Sequence, residues 1–351
     1  MMQIQSHSHA YNVSECDTIA AALSRSGEAD TSFYLVDRKV ADLYRHQLAD
    51  LWDKQVYRIE ATEEAKSYEQ LVPVFCWLLG AGCQRRSQLV VIGGGVLQDI
   101  GCFVASVLMR GIRWTLLPTT LLAQCDSCIG SKSSLNIDRF KNQLGTFYPP
   151  HEVHLVFEFL GTLAPQEILS GLGEAIKLHL IDGEPSVERL RRSLDLPSAE
   201  NPPLPGIVWN SLLIKKRYIE EDEFDRGIRN LLNYGHTFAH AFESTTQYAI
   251  PHGIAVTLGV ACASFFSERL GMLPAGSFDE ILAWLRPYFG GCEEILRRAD
   301  PSMVIAGMKR DKKNVGEQIT FILTRGPGAM EKVELDVHVM PALLQECLKS
   351  L

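Results

Sequence analysis

The sequence predicts an α/β, Rossmann-like N-terminal domain over residues 1–155, followed by a mostly α-helical domain over residues 156–351. In the first half, short apolar runs typical of strands alternate with segments that have apolar residues at helical spacing. This alternation favours parallel strands covered by helices. After about residue 155, most segments have the 3.6-residue spacing of helices. A length of 351 residues also favours two domains over one.

The N-terminal half contains alternating strand and helix segments. The predicted strands are apolar runs bounded by polar or turn-forming residues, at positions 32–37, 55–59, 89–92 and 114–117. The predicted helices, at 40–51 and 68–79, lie between them. Residues 1–9 lack the basic and apolar plan of a signal peptide, and we expect them to form a loose tail.

The C-terminal half is predicted to be largely helical. Its helices have apolar residues at 3.6-residue spacing and cover positions 167–179, 209–221, 231–244, 254–270, 278–288 and 340–348. One late apolar run, at 319–323, is predicted to be a lone strand.

Composition argues against two classes of partner, nucleic acid and a membrane. A net charge of −8 argues against nucleic acid, because phosphate contacts need clustered Lys and Arg. No apolar run approaches the roughly 20 residues that cross a bilayer, so we expect no membrane span. The nine cysteines show no framework of spacings, as expected for reduced thiols in a cytoplasmic protein.

A glycine turn is the first candidate binding feature. Gly93-Gly94-Gly95 follows an apolar strand and precedes a predicted helix, an arrangement in which backbone N–H groups face a diphosphate. The spacing differs from the usual G-x-G-x-x-G fingerprint, and glycines also serve turns that bind nothing. The next strand ends in Thr119 and Thr120, whose hydroxyls could cap the following helix or reach a ligand.

Four side chains of the second half could bind a metal. His236 and His240 lie one helical turn apart on the same face. With His252 and Glu174 they offer the nitrogen and carboxylate ligands that an open catalytic Zn²⁺ site uses. For any one of these residues alone, capping or a buried hydrogen bond is the alternative.

Longer motifs occur in a fixed order along the chain. The N-terminal set comprises Gly93-Gly94-Gly95-Val96, Asp99, Met109-Arg110-Gly111, Pro118-Thr119-Thr120, Asp126-Ser127, Lys132, Asn136 and Lys141-Asn142. The C-terminal set comprises Gly171, Glu174-Ala175-Ile176-Lys177, the run from Arg229 to Ala241, His252-Gly253 and Asp311-Lys312-Lys313. From about residue 37 to 313, the chain resembles the 3-dehydroquinate synthases and the wider sugar phosphate cyclases.

This resemblance implies a nucleotide-binding α/β domain followed by a metal-binding helical domain. It also implies a lyase that uses NAD⁺ and a divalent metal, Zn²⁺ or Co²⁺. In this family a hydroxyl of a seven-carbon phosphosugar is oxidised to a ketone, and phosphate then leaves by β-elimination. The hydride returns, the sugar ring opens, and an internal aldol reaction closes a carbocycle.

The resemblance assigns the metal ligands and the catalytic residues. Glu174, His236 and His252 match the metal ligands, while Lys177 matches a residue beside the metal. His240 matches a substrate-side histidine for proton transfer or a phosphate contact, and we expect it to lie outside the ligand set. The catalytic set is Lys132, Lys177, His240, Asp126 and Asn233.

Further residues match the substrate positions of the family. Those that hold the phosphate are Lys132, Lys141, Asn142, Asn233 and Lys312. Arg110 matches an arginine that serves the neighbouring subunit's phosphate site, which implies a homodimer. Lys215 and Arg229 match the pair that binds a substrate carboxylate; the alternative is a surface salt bridge with Glu220, Glu221 or Asp225.

The cofactor positions match in the same way. Asp37 matches the residue that binds the adenosine ribose, and a carboxylate there favours NAD over NADP. The other assigned cofactor residues are Glu63, Lys66, Gly94, Gly95, Val96, Asp99, Thr119, Thr120, Lys132, Lys141 and Thr162.

Some positions depart from the family pattern. Gly130-Ser131-Lys132-Ser133-Ser134 stands where Gly-Gly-Lys-Thr-Gly is usual, Gln98 replaces a small residue, and Ile254 replaces an acidic one. The substrate expected from Lys215 and Arg229 is 3-deoxy-D-arabino-heptulosonate 7-phosphate, converted to 3-dehydroquinate and phosphate. The alternatives are a sedoheptulose 7-phosphate cyclase of the valiolone type, a dehydrogenase of the glycerol dehydrogenase type and a non-catalytic nucleotide sensor. The phosphate-binding lysines and the intact metal set argue against the last two.

Overall fold

The computed structural model describes residues 1–26, 31–138, 140–195, 204–309 and 317–351. The chain divides into two compact units. The first comprises Met1–Leu163 and Lys216–Phe224, and the second comprises Ala164–Lys215 and Asp225–Leu351. The first unit extends beyond residue 155, the predicted boundary, because the 3₁₀ segment Phe157–Thr162 packs against it. Phe159 of that segment joins its core.

The first unit is built on a seven-stranded sheet. Its elements are β1 (Met2–Ile4), β2 (Tyr11–Glu15), α1 (Ile19–Ser26), β3 (Ser32–Asp37), α2 (Arg38–Leu43), β4 (Gln55–Ile59), α3 (Val72–Gly80), β5 (Gln88–Gly93), α4 (Gly95–Val107), β6 (Arg113–Pro118), β7 (Leu135–Ile137), β8 (Phe140–Leu144) and β9 (Glu152–Leu155). The strand order is β1-β2-β9-β6-β5-β3-β4, with β7 and β8 forming a separate hairpin. Only the β1–β2 pair of the described seven-stranded sheet is antiparallel.

The apolar composition of the central strands accounts for their burial. Every residue of β5 is buried, as expected for a parallel strand covered on both faces. In the register, Gly93 lies opposite Pro118, so the carboxyl ends of β5 and β6 meet at the same edge. Asp37 ends β3 beside them. The four strands predicted in this half are present, with bounds shifted by no more than one residue.

Two predictions for this unit are wrong. The N-terminal residues are not a loose tail, because Met2 and Ile4 are buried and β1 pairs with β2. Such a short strand gives too few alternations to stand out in the sequence. The helix predicted at 40–51 ends at Leu43, and a 3₁₀ turn follows at Ala49–Leu51. The apolar spacing there arises because the turn buries Leu48 and Leu51.

The second unit is mostly helical. Its elements are α5 (Pro165–Asp182), α6 (Glu184–Leu194), α7 (Leu204–Glu221, of which residues 216–221 join the first unit), α8 (His236–Thr245), α9 (His252–Arg269), α10 (Ser277–Leu285), α11 (Glu293–Arg297), α12 (Pro301–Lys309), β10 (Gln318–Thr324), β11 (Met330–Asp336) and α13 (Met340–Ser350). The helix predicted at 231–244 is instead a 3₁₀ segment, Ile228–Asn233, followed by α8.

The predicted lone strand has a partner. β10 pairs antiparallel with β11 over its whole length. The sequence does not predict β11, because charged residues occupy most of its positions and few apolar residues mark a buried face.

Helix α9 forms the centre of this unit. Residues 253–267 are all buried, which is typical of a helix surrounded by others. Within the described ranges, no helix is long and apolar enough to cross a bilayer. The predicted fold class is thus confirmed, with a parallel α/β unit and a largely helical one.

Candidate active site

A close contact between α5 and α9 brings two predicted ligands together. A Cβ atom on Gly173 would lie 2.0 Å from the Gly253 carbonyl oxygen, and one on Gly253 would lie 1.7 Å from the Ser170 carbonyl oxygen. Only glycine permits this approach of two backbones. Glu174 and His252, each next to one of these glycines, therefore face each other.

The third predicted ligand is placed by a turn at the start of α8. Gly235, the N-cap residue, has a φ of 79°, in the left-handed region. A Cβ atom there would lie 2.8 Å from the backbone nitrogen of Val260 on α9. The turn brings the chain against α9, so that His236 begins α8 beside the Glu174–His252 pair.

The three side chains converge on one point. Glu174 Oε1 lies 3.1 Å from His252 Nε2 and 3.6 Å from His236 Nε2. One ligand atom from each residue lies within 4.8 Å of the others. This spacing can hold a divalent ion between a carboxylate oxygen and two imidazole nitrogens.

The outward ring nitrogens of both histidines have acceptors. The Tyr234 carbonyl accepts a hydrogen bond from His236 Nδ1 at 3.3 Å, so Nε2 is the nitrogen with the lone pair. The Glu243 carboxylate accepts from His252 Nδ1 at 3.2 Å. Metal-binding histidines typically have the outer ring nitrogen fixed by a carbonyl or a carboxylate. The donor set therefore fits Zn²⁺ or a similar ion.

Neighbouring charges set the protonation states of this cluster. Burial alone would raise the pKa of Glu174, but the ammonium of Lys177, 2.5 Å from its Oε2, holds the pKa well below its usual value. Burial and Lys177 lower the pKa of His236 to about 4. Burial opposes the charged form of His252, but Glu243 and Glu174 together raise the pKa of that imidazole to about 10. Metal ligation would replace the proton on its Nε2.

His240 lies beside this cluster. Its ring centroid is 5.4 Å from that of His236 and 6.1 Å from that of His252, and the residue is exposed. His240, Glu243 and His252 also form a second group with ligand atoms within 4.8 Å. That His240 lies outside the ligand set stays a prediction.

The glycine turn of the first unit lies at the carboxyl edge of the sheet. Gly94 is the N-cap of α4, whose first residues are Gly95 and Val96. A Cβ atom on Gly94 would lie 2.9 Å from Thr120 Cγ2, so the two segments touch. The Thr120 hydroxyl accepts from the backbone N–H of Ala123 at 3.2 Å, which is the capping role considered for it.

Other predicted cofactor residues flank this edge. Asp37 accepts a hydrogen bond from the Lys39 N–H at 2.9 Å and caps α2. Thr119 donates its N–H to the Gly93 carbonyl at 3.1 Å. The Thr162 hydroxyl lies 2.9 Å from the Tyr44 hydroxyl.

Charged residues predicted for cofactor and substrate form one network. Lys66 Nζ lies 3.0 Å from Asp99 Oδ2 and 3.8 Å from Glu63 Oε1, and Lys141 Nζ lies 3.4 Å from the same Glu63 oxygen. Burial raises the pKa of Asp99, against the opposing effect of Lys66. Asp99 Oδ1 also accepts the Ser134 N–H at 3.0 Å, which ties down the segment that departs from the family pattern.

The sequence does not predict the π-helical turn around Asp126 or a role for Glu243. Residues Ala123–Ser127 form a π-helical turn that carries Asp126, and such turns are frequent at functional sites. Gln98, the unusual residue before Asp99, binds this turn: its amide donates to the Ser127 carbonyl and accepts from the Ser127 hydroxyl at 2.7 Å. Glu243 was also missed, although its i+7 spacing from His236 places it on the same face of α8.

The remaining predicted residues have varied settings. Lys215 and Arg229 are both buried, each with 7% of its surface exposed. Arg110 is exposed and has a φ of 64°, which is unusual for a residue with a side chain. The backbone of Lys132 forms an isolated antiparallel β-bridge with that of Phe147. The Asn142 N–H donates to the Asn136 side chain, and the Asn233 side chain donates to the Asn230 carbonyl. Lys312 and its motif lie outside the described residues.

The fold is similar to that of two solved synthase structures. A solved structure of 2-deoxy-scyllo-inosose synthase complexed with carbaglucose-6-phosphate, NAD⁺ and Co²⁺ matches with a TM-score of 0.87 at 23% identity, covering 98% of this chain and 99% of that one. A 2-epi-5-epi-valiolone synthase from Streptomyces hygroscopicus subsp. jinggangensis 5008, with NAD⁺ and Zn²⁺ bound, matches with a TM-score of 0.81 at 23% identity, covering 97% of each chain. At these identities the likeness shows the fold.

Sequence similarity is more specific. The family models of the 3-dehydroquinate synthase N-terminal and C-terminal regions match residues 56–170 and 171–314. The 3-dehydroquinate synthase of Legionella pneumophila (strain Corby) is 36% identical over 321 residues, 90% of this chain and 85% of that protein. The chain belongs to the 3-dehydroquinate synthase family and is an enzyme, which confirms the resemblance seen in its motifs.

Proposed function

We propose that the protein is a 3-dehydroquinate synthase, which converts 3-deoxy-D-arabino-heptulosonate 7-phosphate to 3-dehydroquinate and phosphate. One observation carries the proposal: in a chain of this family, Glu174 Oε1 and the Nε2 atoms of His236 and His252 converge beside the Lys177 ammonium. A carboxylate with two imidazoles leaves ligand positions open for substrate oxygens. We expect the enzyme to act as a phosphate-eliminating carbon–oxygen lyase in the cytoplasm.

The implied cofactors are NAD⁺ and a divalent ion, Zn²⁺ or Co²⁺. NAD⁺ would accept a hydride and later return it, while the metal would supply a Lewis acid at a substrate oxygen. The N-terminus of α4 after Gly94 suits a diphosphate, because its backbone N–H groups point outward there. Asp37 at the end of β3 suits a ribose, and we assign the remaining predicted cofactor residues to the same ligand.

The side chains of the chain itself supply charge and proton transfer. Lys177, paired with Glu174, stabilises negative charge that develops on a substrate oxygen. His240 is exposed on α8 beside the cluster and can transfer a proton. In the first unit, we assign Lys132, Lys141 and Asn142 to the substrate phosphate, and the two lysines neutralise its charge as it leaves. We also assign Asn233 and Lys312 to the phosphate, and Asp126 to the catalytic set.

The carboxylate assignment rests on Lys215 and Arg229. Both cationic side chains are 93% buried, and burial of a cation is costly unless anions meet it. An arginine can bind a carboxylate through two parallel hydrogen bonds. We therefore assign the substrate's carboxylate to these residues, in addition to any partner they have within the chain.

A second candidate is a cyclase for sedoheptulose 7-phosphate, which has no carboxylate. Two observations favour it: the fold matches a 2-epi-5-epi-valiolone synthase, and the segment around Lys132 departs from the usual family pattern. Ser133 of this segment is buried, with its hydroxyl 3.0 Å from that of Thr146, so the segment has a specific packing of its own.

The quaternary proposal is a homodimer. Arg110 is exposed at the end of a turn in which Met109, Arg110 and Gly111 all have positive φ values. Backbone strain of this kind clusters at functional sites. We propose that Arg110 serves the phosphate site of the second copy.

Parallel turnover assays test these proposals. Purified enzyme with NAD⁺ and Zn²⁺ or Co²⁺ is incubated with each phosphosugar, and phosphate release and absorbance at 340 nm are recorded. Phosphate release from the carboxylated sugar without net NADH supports the synthase, whereas release from sedoheptulose 7-phosphate alone supports the second candidate. Net NADH would indicate a dehydrogenase, and no reaction with either sugar would contradict both cyclase proposals.

A matched pair of variants tests the carboxylate assignment. Arg229→Ala should severely impair turnover of the carboxylated sugar, because a buried charged hydrogen bond is lost. Arg192→Ala, whose side chain is 76% exposed in a surface pair with Glu188, should leave turnover unchanged. Equal activity of the Arg229 variant and the wild type would remove Arg229 from the substrate site.

A further inference from the structure

Glu243 lies behind the proposed metal ligands and is not among the residues assigned to the metal, the substrate or the cofactor. It is on α8, seven residues after His236 and three after His240. Its side chain is 15% exposed, and its Oε1 lies 3.2 Å from His252 Nδ1. A carboxylate therefore faces the outer nitrogen of His252.

His252 needs such a partner more than His236 does. The ring of His236 is 14% exposed, and its Nδ1 is fixed by a backbone carbonyl that no side-chain substitution removes. The ring of His252 is 35% exposed, so the surrounding packing leaves it freer to rotate. In the described part of the chain, its Nδ1 hydrogen bond goes to Glu243.

We propose that Glu243 is a positioning residue for the metal centre. By accepting the Nδ1–H of His252, the carboxylate fixes the tautomer and the ring orientation that direct Nε2 toward Glu174 Oε1. A negative charge behind the ring also makes Nε2 a stronger electron-pair donor to a metal. The inference rests on the proposed metal-dependent function and adds a residue outside the ligand set.

The rival role for Glu243 is direct ligation with His240 and His252. That role would require His252 Nδ1 to lose the hydrogen that it donates to Glu243. It would also use the exposed His240, whereas Glu174 is 1% exposed and held by Lys177. The buried carboxylate is thus the better anchored ligand, and Glu243 is left as the acceptor.

Metal titration of full-length variants tests this role. Glu243→Ala removes the acceptor, whereas Glu243→Gln keeps a weaker, neutral carbonyl acceptor. Glu188→Gln, in an exposed ion pair with Arg192, serves as the control. Zn²⁺ and Co²⁺ affinities are measured by competition with a chelator, and the visible absorption of bound Co²⁺ is recorded at saturation.

We expect Glu243→Ala to weaken metal binding about 10- to 100-fold, with a smaller loss for Glu243→Gln and none for the control. The Co²⁺ spectrum at saturation should be the same as that of the wild type, because the ligand atoms are the same. If Glu243→Ala fails to fold in apo thermal melts, Glu243→Gln decides the question. Affinities within twofold of wild type, or a changed Co²⁺ spectrum, would overturn the positioning role. A wild type that binds no divalent ion would contradict the proposed function as well.

Discussion

The contact between α5 and α9 gives a sharp prediction about Gly253→Ala. The added Cβ would lie 1.7 Å from the carbonyl oxygen of Ser170, 2.5 Å from its carbonyl carbon and 2.9 Å from its Cα. An ordinary contact needs at least 3.4 Å, so one backbone must move by about 1.7 Å (3.4 − 1.7). No side-chain rotation can relieve a clash with backbone atoms. Overpacking typically costs about 1–3 kcal/mol, and we expect a loss of about 3 kcal/mol or more.

The same movement separates Glu174 from His252, so metal binding should weaken together with stability. The assays are denaturant unfolding of apo protein and competition titration with Co²⁺. Gly206→Ala is the matched control, since among the described residues no atom lies within 4 Å of its added Cβ. A helical Gly→Ala change in open space should stabilise by about 0.5–1 kcal/mol. A Gly253→Ala variant within about 0.5 kcal/mol of wild type, with unchanged Co²⁺ affinity, would refute the close-contact argument.

Four other predictions follow from single residues. His236→Ala should abolish turnover but leave the apo thermal melt nearly unchanged, because an open Zn²⁺ site is catalytic rather than structural; a large drop in the melting temperature would contradict this. Asp37→Asn, which keeps the cap of α2, should weaken NAD⁺ binding by about 1–3 kcal/mol in a titration, and an unchanged affinity would remove Asp37 from the site. Burial opposes the charged form of Glu223, but hydrogen bonds from the N-terminal residues lower its pKa below 4.5; its stabilising contribution is therefore present above that value and lost as the pH falls through the folded pKa. Glu223→Gln should reduce the acid-dependent loss of stability in unfolding titrations, and a pH profile parallel to wild type would contradict this. Mixing inactive Arg110→Ala and Lys177→Ala proteins under subunit exchange should restore up to about a quarter of the sites, whereas no recovery would argue against a shared site.

The sequence was most informative where burial is complete. The buried strands of the first unit and the long helices of the second have patterns that tertiary packing reinforces, so their positions could be predicted. Strands β1, β2 and β9 were missed because they are short and carry polar residues such as Asn12, Ser14 and His154 on one face. The π-helical turn at Asp126 has no recognised sequence signal of its own.

The candidate site could be predicted only in part. The spacing of His236 and His240 suggested a metal pair, but the structure pairs His236 with His252, 16 residues later, and with Glu174, 62 residues earlier. That grouping depends on the contact between Gly173 and Gly253. A single sequence does not reveal this contact, because nothing in it shows which distant glycines pack against each other. The family resemblance supplied this long-range information.

Anomalous diffraction from Zn²⁺- or Co²⁺-loaded crystals tests the central claim most directly. The prediction is one strong peak at about 2.0–2.2 Å from Glu174 Oε1, His236 Nε2 and His252 Nε2, with Glu243 and His240 outside bonding distance. No peak in fully loaded crystals, or a peak bound by His240 and Glu243, would contradict the metal centre on which the proposed chemistry depends.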